Sequence, residues 1–136
     1  MKGNLQEIAN KWLKQAEYDL EDARKAFQWG SFNLCCFLAQ QAAEKAVKAI
    51  LFACGCEEVW GHSVGSLLQI ASNFYLQLKE LLPLAKSLDK YYIPTRYPDV
   101  LPDDAIPSEV YDEEDAQRAL HKAEKILEKL KELLRT

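Results

Sequence analysis

One segment, residues 31–55, constrains the fold most, because it is apolar on nearly every side of a helix. Its polar side chains fall on one stripe that spans roughly 140° of the helix surface, at about 100° per residue. They are Gln40, Gln41, Glu44, Lys45 and Lys48. So narrow a stripe is typical of a central helix in a bundle, with neighbours on several sides. The stripe must then face water, a partner or a polar pocket between helices.

The first part of the chain also has a helical pattern. Apolar side chains recur at the helical period in residues 5–29, and Gly30 is expected to end that helix. Further helices are predicted over residues 64–74 and 76–91. Pro83 removes a backbone hydrogen bond, so we expect a kink or a restart there.

The last part of the chain is predicted to be a loop followed by a helix. Four prolines make residues 93–108 a loop with little regular structure. Asp112 is expected to cap a final helix that ends at Arg135. No strand pattern occurs, so we predict one domain over residues 1–136 with an all-α fold, an up-and-down bundle of four or five helices.

Composition narrows the class of protein. A chain of 136 residues with 49% hydrophobic and 28% charged residues suits one soluble globular domain. Its net charge of -4 gives no overall support for binding nucleic acid or an anionic membrane. No apolar run reaches the ~18 residues of a membrane span, and residues 1–10 lack the apolar core of a signal peptide. We therefore expect a cytoplasmic protein without membrane contact.

Four cysteines occur, Cys35, Cys36, Cys54 and Cys56. In the cytosol they are expected to be reduced thiols. Their spacing is not the paired Cys-x-x-Cys of a zinc site, so no metal is predicted. Packing as small apolar side chains is the favoured interpretation.

Asp19 interrupts the apolar face of the first helix, near its centre. Burying a carboxylate alone costs several kcal/mol, so this side chain needs a partner or a polar cleft. Candidate partners are Lys45 and Lys48 in the second helix and Arg96 in the loop. Two interpretations stay open: a structural salt bridge that fixes helix register, and a member of a binding cleft.

Within the stripe, Glu44 precedes Lys48 by four residues, the favourable orientation for an exposed helix pair. Taken alone, this pair favours a solvated face. Gln41 and Lys45 add a second polar pair at the same spacing. Because both pairs lie on the most apolar helix, we favour a polar pocket.

His62 and Ser63 precede the predicted third helix. The Ser63 hydroxyl is expected to cap that helix. His62 is expected either to do the same or to pack against Trp60. His121 lies beside Lys122 and is expected at the surface.

The loop contains a second dense feature, Thr95-Arg96-Tyr97-Pro98-Asp99. Arg96 has the fork geometry that suits phosphate or carboxylate. Tyr97 and the nearby Tyr91 and Tyr92 offer flat surfaces on which a base can stack. Asp99 is expected to hold Arg96 or to close the turn. The alternative to a binding loop is one tied to the bundle by an Arg–Asp pair.

Together these residues resemble the HEPN family, named for higher eukaryotes and prokaryotes nucleotide-binding. The matching residues are Trp12, Ala16, Asp19, Leu20, Ala23, Gly30, Phe37, residues 41–48, His62, Ser63, Tyr91, Tyr92 and residues 95–99. The resemblance implies a small all-α bundle, similar to nucleotidyltransferase substrate-binding domains and usually a homodimer. It also implies association with a small nucleotidyltransferase, in some cases as a toxin–antitoxin pair.

Several HEPN proteins cut RNA, and those members resemble one another in an Arg followed four to six residues later by a His. This chain has no His in that range after Arg96. An RNase without a metal needs one group to activate the ribose 2'-hydroxyl and another to stabilise the charged phosphate. Arg96 suits the second task, and His62 suits the first only if it approaches in space. Ribonuclease activity is therefore the less favoured hypothesis.

The leading hypothesis is a HEPN domain that binds a nucleotide, RNA or a nucleotidyltransferase partner, and that is not an enzyme by itself. The alternatives are an RNase toxin and a structural dimerisation module in which the stripe forms the subunit contact. No cofactor is expected other than a nucleotide ligand. The predicted ligand-binding residues are Asp19, Gln41, Glu44, Lys45, Lys48, His62, Tyr92, Arg96, Tyr97 and Asp99.

Overall fold

The computed structural model describes residues 2–135, and within them the fold is all-α, as predicted. Six α-helices occur: α1 (Lys2–Gln28), α2 (Phe32–Ala53), α3 (Val64–Ala71), α4 (Leu82–Asp89), α5 (Pro107–Val110) and α6 (Glu113–Arg135). Short 3₁₀ segments occupy Leu76–Leu81 and Pro98–Val100. The described residues contain no β-strand.

The described residues contain six α-helices where four or five were expected, because the four-residue α5 forms at the end of the expected loop. Pro107 occupies the first position of α5, where its fixed φ favours a helix and its missing N–H costs nothing. Pro83 lies in the first turn of α4, directly after a 3₁₀ segment. The chain therefore restarts its helix at Pro83, as predicted.

The predicted helix ends are set by local signals. Gly30 adopts a φ of 79°, and the Ser31 amide donates to the Ala26 carbonyl at 2.9 Å. This arrangement closes α1 in the way that favours glycine. Asp112 Oδ1 accepts a hydrogen bond from the Asp115 amide at 2.9 Å, and Asp115 accepts one in return at 3.0 Å. Asp112 thus caps α6, as predicted.

Helix α2 is the centre of the bundle, because it contacts α1, α3, α4, α5 and α6. Its alanines allow these neighbours to approach closely, and Val47, Ile50 and Leu51 fill the space between them. Each such aliphatic side chain contributes about 1.5–3 kcal/mol on burial. None of the helices in residues 2–135 combines the length and the apolar character needed to cross a bilayer.

All four cysteines are free thiols. Cys35 and Cys36 are fully enclosed in α2, and burial raises the pKa of each thiol to about 12. They therefore pack as small apolar side chains rather than as thiolates. Cys54 and Cys56 are partly exposed at the end of α2. No three His, Cys, Asp or Glu side chains of residues 2–135 lie together as a metal site requires.

Candidate functional site

The polar stripe of α2 is mostly buried inside the bundle. Gln40 is fully enclosed, and only 3% of Glu44 and 7% of Lys48 are exposed. The solvated face that the Glu44–Lys48 spacing favours when taken alone is therefore not what forms, and the pair lies in the interior. On one side α1 covers the stripe, where the Lys48 ammonium lies 5.3 Å from the ring centroid of Trp12. Such a contact with an indole face favours a cation.

Asp19 pairs with Lys45, one of its predicted partners. Lys45 Nζ donates to Asp19 Oδ2, and Gln15 Nε2 donates to Oδ1 at 2.9 Å. Both carboxylate oxygens of this buried side chain therefore have donors. This geometry fits the interpretation of a salt bridge that fixes the register between α1 and α2.

The Glu44 carboxylate is the hub of the buried stripe. Its Oε2 accepts a hydrogen bond from Lys48 Nζ at 3.1 Å and lies 3.3 Å from His62 Nδ1. Its Oε1 accepts from Gln41 Nε2 at 3.3 Å. Lys48 compensates the buried negative charge, and Gln41 and His62 add hydrogen bonds to the same carboxylate. Glu44 thereby ties His62 to the central helix.

His62 is held at two further points. Gln40 Nε2 donates to the His62 carbonyl at 2.9 Å, and the His62 ring stacks on Tyr92 with centroids 5.1 Å apart and planes 15° apart. The His62 ring neither caps α3 nor packs against Trp60, which were the two expected roles. Trp60 is largely exposed. The His62 side chain is nevertheless 59% exposed. Buried residues thus fix the position of an exposed imidazole.

Asp89, the last residue of α4, is a residue that the sequence analysis did not identify. Its carboxylate accepts hydrogen bonds from Ser63 Oγ at 2.7 Å, from the Val64 amide at 2.6 Å and from the Gly65 amide at 3.0 Å. Ser63 also caps α3, as predicted, by accepting from the Ser66 amide at 3.1 Å. Asp89 therefore fastens the start of α3, directly after His62, to the end of α4.

Gly65 makes this fastening sterically possible. A Cβ at this position would lie 2.9 Å from Lys86 Cγ and 3.2 Å from Asp89 Oδ2. The absence of a side chain lets α3 approach α4 closely enough for the carboxylate to reach two backbone amides. The sequence signal that could have indicated this contact is a glycine in the first turn of a helix, where it is otherwise unfavourable.

Arg96 is oriented by aromatic rings rather than by an acid. Its Cζ lies 4.4 Å from the ring centroid of Phe37, 4.8 Å from that of Tyr92 and 4.9 Å from that of Tyr97. Its Nε donates to the Tyr92 carbonyl at 3.0 Å. No carboxylate of residues 2–135 pairs with this guanidinium, and Asp99 is exposed without a polar contact of its own. The expected Arg–Asp pair is therefore wrong.

Tyr92 connects the two groups, because the His62 ring and the Arg96 guanidinium both lie against its ring. We call His62, Tyr92, Arg96, Phe37 and Tyr97 the His62–Arg96 cluster. The adjacent Tyr91 is outside it: its ring is buried and packs edge-on against Tyr111 with centroids 6.0 Å apart. Burial raises the pKa of the Tyr91 phenol, which keeps that hydroxyl neutral.

Asp19 and Arg96 do not share one cleft in this chain. Lys45 and Trp12 line a depression of about 300 Å³ beside α1, whereas Arg96 and Phe37 line a different one of about 420 Å³. The ten predicted residues therefore separate into three groups: a salt bridge at α1, the buried Glu44 hub, and the His62–Arg96 cluster with Asp99 beside it. His121 is exposed on α6, as predicted.

These elements define a small helical bundle with a charged central helix and an arginine-bearing loop. The sequence profile of the HEPN domain matches residues 9–133, and the chain belongs to the HEPN domain family. The chain is also 32% identical over 134 residues to a protein of Methanocaldococcus jannaschii that carries the name "putative toxin". That match covers 93% of this chain and 88% of the archaeal protein.

Solved structures show the same fold. A Thermus thermophilus protein has a TM-score of 0.85 and 41% identity, with 91% of this chain and 96% of that chain covered. A structure described as an archaeal HEPN homologue has a TM-score of 0.76 and 43% identity, with 93% and 97% covered. A HEPN domain protein of Thermotoga maritima has a TM-score of 0.72 and 34% identity, with 92% and 98% covered.

Proposed function

We propose that this HEPN domain binds the phosphate of a nucleotide or of RNA at the His62–Arg96 cluster. The observation that carries the proposal is that the Arg96 guanidinium is held in one direction without an acidic partner. Three rings and a carbonyl fix the direction of the guanidinium, and no carboxylate of residues 2–135 neutralises it. An oriented guanidinium with unused terminal N–H groups suits a phosphate, which it can bind through two parallel hydrogen bonds.

The surroundings of Arg96 suit the rest of a nucleotide. Tyr97 is half-exposed and offers one face on which a base can stack. His62 stacks on Tyr92 in the same cluster, and its exposed ring can form a hydrogen bond. The cluster thus combines a cation, an aromatic surface and a polar ring at the surface of an acidic protein. The Asp19 salt bridge and the Glu44 hub serve this proposal only by holding the helices and His62 in place.

The proposal is tested by calorimetric titration of the purified protein with ATP, with GTP and with a short RNA. Arg96→Ala is expected to weaken binding at least tenfold, because a hydrogen bond to a charged group contributes about 1.5–3 kcal/mol and about 1.4 kcal/mol corresponds to tenfold. Arg118→Ala is the matched control, since Arg118 is exposed on α6 and paired with Glu114 at 3.3 Å. Absence of heat at millimolar nucleotide, or equal weakening by both substitutions, would contradict the proposal.

The second candidate is an RNA-cleaving toxin. Two observations support it: the position of His62 and Arg96 on the same tyrosine ring, and the name of the Methanocaldococcus jannaschii relative. His62 would then accept the proton of a ribose hydroxyl while Arg96 binds the phosphate. Expression should arrest growth, and His62→Ala and Arg96→Ala should each abolish the arrest. RNA that stays intact during long incubation with the wild-type protein would remove this candidate.

Co-purification with the product of the adjacent gene tests the predicted nucleotidyltransferase partner.

A further inference from the structure

Helix α6 carries positive side chains along the flank next to α4. At about 100° per residue, these side chains fall within about 60° of the helix surface. They are Arg118, Lys122, Lys125 and Lys129. The two at the ends are compensated, because Arg118 pairs with Glu114 at 3.3 Å. Lys129 pairs with Glu132 at 3.8 Å. No carboxylate of residues 2–135 forms an ion pair with the two lysines between them.

Lys122 is the member of this flank that reaches α4. Its side chain is partly buried, and its Nζ donates a hydrogen bond to Ser87 Oγ. Lys90 follows Ser87 by three residues at the end of α4, so these two side chains lie on the same side of that helix. The exposed Lys90 ammonium lies 5.1 Å from the ring centroid of Tyr91. Two lysines from different helices therefore flank one hydroxyl.

This group of side chains lacks a negative charge. Burial lowers the pKa of the Lys122 ammonium, and the charges of Lys90 and Arg118 lower it further. Like charges in a partly buried position repel each other, so an anion between the two lysines would stabilise their protonated forms. Ser87 adds a donor, because its oxygen accepts from Lys122 while its own hydroxyl proton has no acceptor within residues 2–135.

We propose that Lys90, Lys122 and Ser87 form an anion site that binds a phosphate group. A phosphate monoester carries about 1.5 to 2 negative charges at neutral pH, which match two lysines without carboxylate partners. Its oxygens can accept from donors that come from two helices. A carboxylate would supply only one charge for the two lysines.

This anion site is independent of the proposed function, because none of its three residues belongs to the His62–Arg96 cluster. The two sites use neighbouring tyrosines that pack in different places. Tyr91, which lies under Lys90, packs against Tyr111. Tyr92 carries the rings and the guanidinium of the cluster.

The test is an NMR titration of the ¹⁵N-labelled protein with sodium phosphate, compared with sodium chloride at equal ionic strength. The amides of residues 87–90 and 118–122 are expected to shift and to saturate with phosphate but not with chloride, because screening alone does not distinguish the two salts. Lys90→Gln and Lys122→Gln should each weaken phosphate binding about tenfold, the effect of one hydrogen bond to a charged group. Lys122→Arg keeps the positive charge and should restore most of the binding.

Lys125→Gln is the matched control, because it removes an unpaired ammonium from the same flank of α6, about one turn away. It should change phosphate affinity by less than about twofold. Equal weakening by Lys125→Gln and Lys122→Gln would show only a diffuse attraction and would overturn the proposal, as would shifts that chloride reproduces. Circular dichroism in phosphate-free buffer shows whether each variant is folded. If Lys122→Gln unfolds, Lys90→Gln, which changes an exposed side chain, decides the test.

The source of the phosphate is distinguished by titrating Arg96→Ala with inorganic phosphate and with AMP, since this variant lacks the guanidinium of the His62–Arg96 cluster. Shifts of the same amides with AMP would identify a phosphate ester as the ligand. Shifts with inorganic phosphate alone would identify the free anion. If neither compound shifts these amides, the anion site is overturned and the proposed function stands, because that function depends on Arg96.

Discussion

Glu44→Leu is expected to lower the free energy of unfolding by about 3–5 kcal/mol, because it leaves the Lys48 ammonium buried without its carboxylate. Lys48 is only 7% exposed, so water cannot replace the lost partner. In the same substitution His62 Nδ1 loses its acceptor, and Gln41 Nε2 keeps only its hydrogen bond to Gln40 Oε1. Urea denaturation at neutral pH, extrapolated to water, measures the loss.

Replacing both partners should cost much less than replacing one. In Glu44→Leu/Lys48→Met the interior holds two apolar side chains of similar volume and no uncompensated charge, and such exchanges of buried pairs are often neutral. The double-mutant cycle should therefore show strong coupling between the two positions. Glu114→Leu is the matched control, since the exposed Arg118–Glu114 pair should contribute less than about 0.5 kcal/mol. Strictly additive effects of Glu44→Leu and Lys48→Met would show that the pair does not act as a unit.

The sequence was sufficient to predict the stripe but not its burial. The spacing of Glu44 and Lys48 is the same in a solvated helix pair as in an enclosed one, because intrahelical geometry depends only on the helix. Burial depends on α1 and on the segment at His62, which cover the stripe from other parts of the chain. The ion-pair partner of Asp19 was easier to predict, because an acid on an apolar face requires a cation and the stripe on α2 contains one.

The candidate site could be predicted only in part, for a related reason. Arg96 and Tyr97 are adjacent in the chain, so their proximity followed from the sequence. The Phe37 ring that also covers Arg96 comes from α2, and no local pattern indicates such a contact. His62 was placed in the site through the HEPN resemblance, and its link to Arg96 through Tyr92 became visible only in the folded chain.

The missing Arg-to-His spacing thus has a different meaning in three dimensions. The motif reports whether a histidine follows Arg96 along the chain, whereas chemistry depends on which histidine lies near it in space. His62 comes from the connection before α3 and stacks on the same tyrosine ring that Arg96 covers. The chain spacing therefore does not register His62, which shares a ring contact with Arg96 in the folded protein. The substitutions at His62 and Arg96, rather than the motif, distinguish a binding function from RNA cleavage.

Asp89→Ala is expected to lower the free energy of unfolding by about 2–3 kcal/mol. The Asp89 carboxylate is the acceptor for the Ser63 hydroxyl and for two backbone amides at the positive end of α3. Its removal leaves those donors at the helix start without their charged partner, in a place where Gly65 has brought the two helices into contact. Asp89→Asn should cost less, because its amide oxygen can still accept one of these bonds.

Asp99→Ala is the matched control for Asp89→Ala, since Asp99 is exposed in the 3₁₀ segment Pro98–Val100 and makes no polar contact within residues 2–135. It should change stability by less than about 0.5 kcal/mol. Thermal and urea denaturation of the two variants side by side measure the difference. Equal stability of both would show that water replaces the Asp89 carboxylate at the start of α3. A loss confined to Asp89→Ala would show that a charge at the end of α4 holds Ser63, the residue after His62. The His62–Arg96 cluster depends on this anchor, because the imidazole keeps one orientation only if the segment before α3 is fixed.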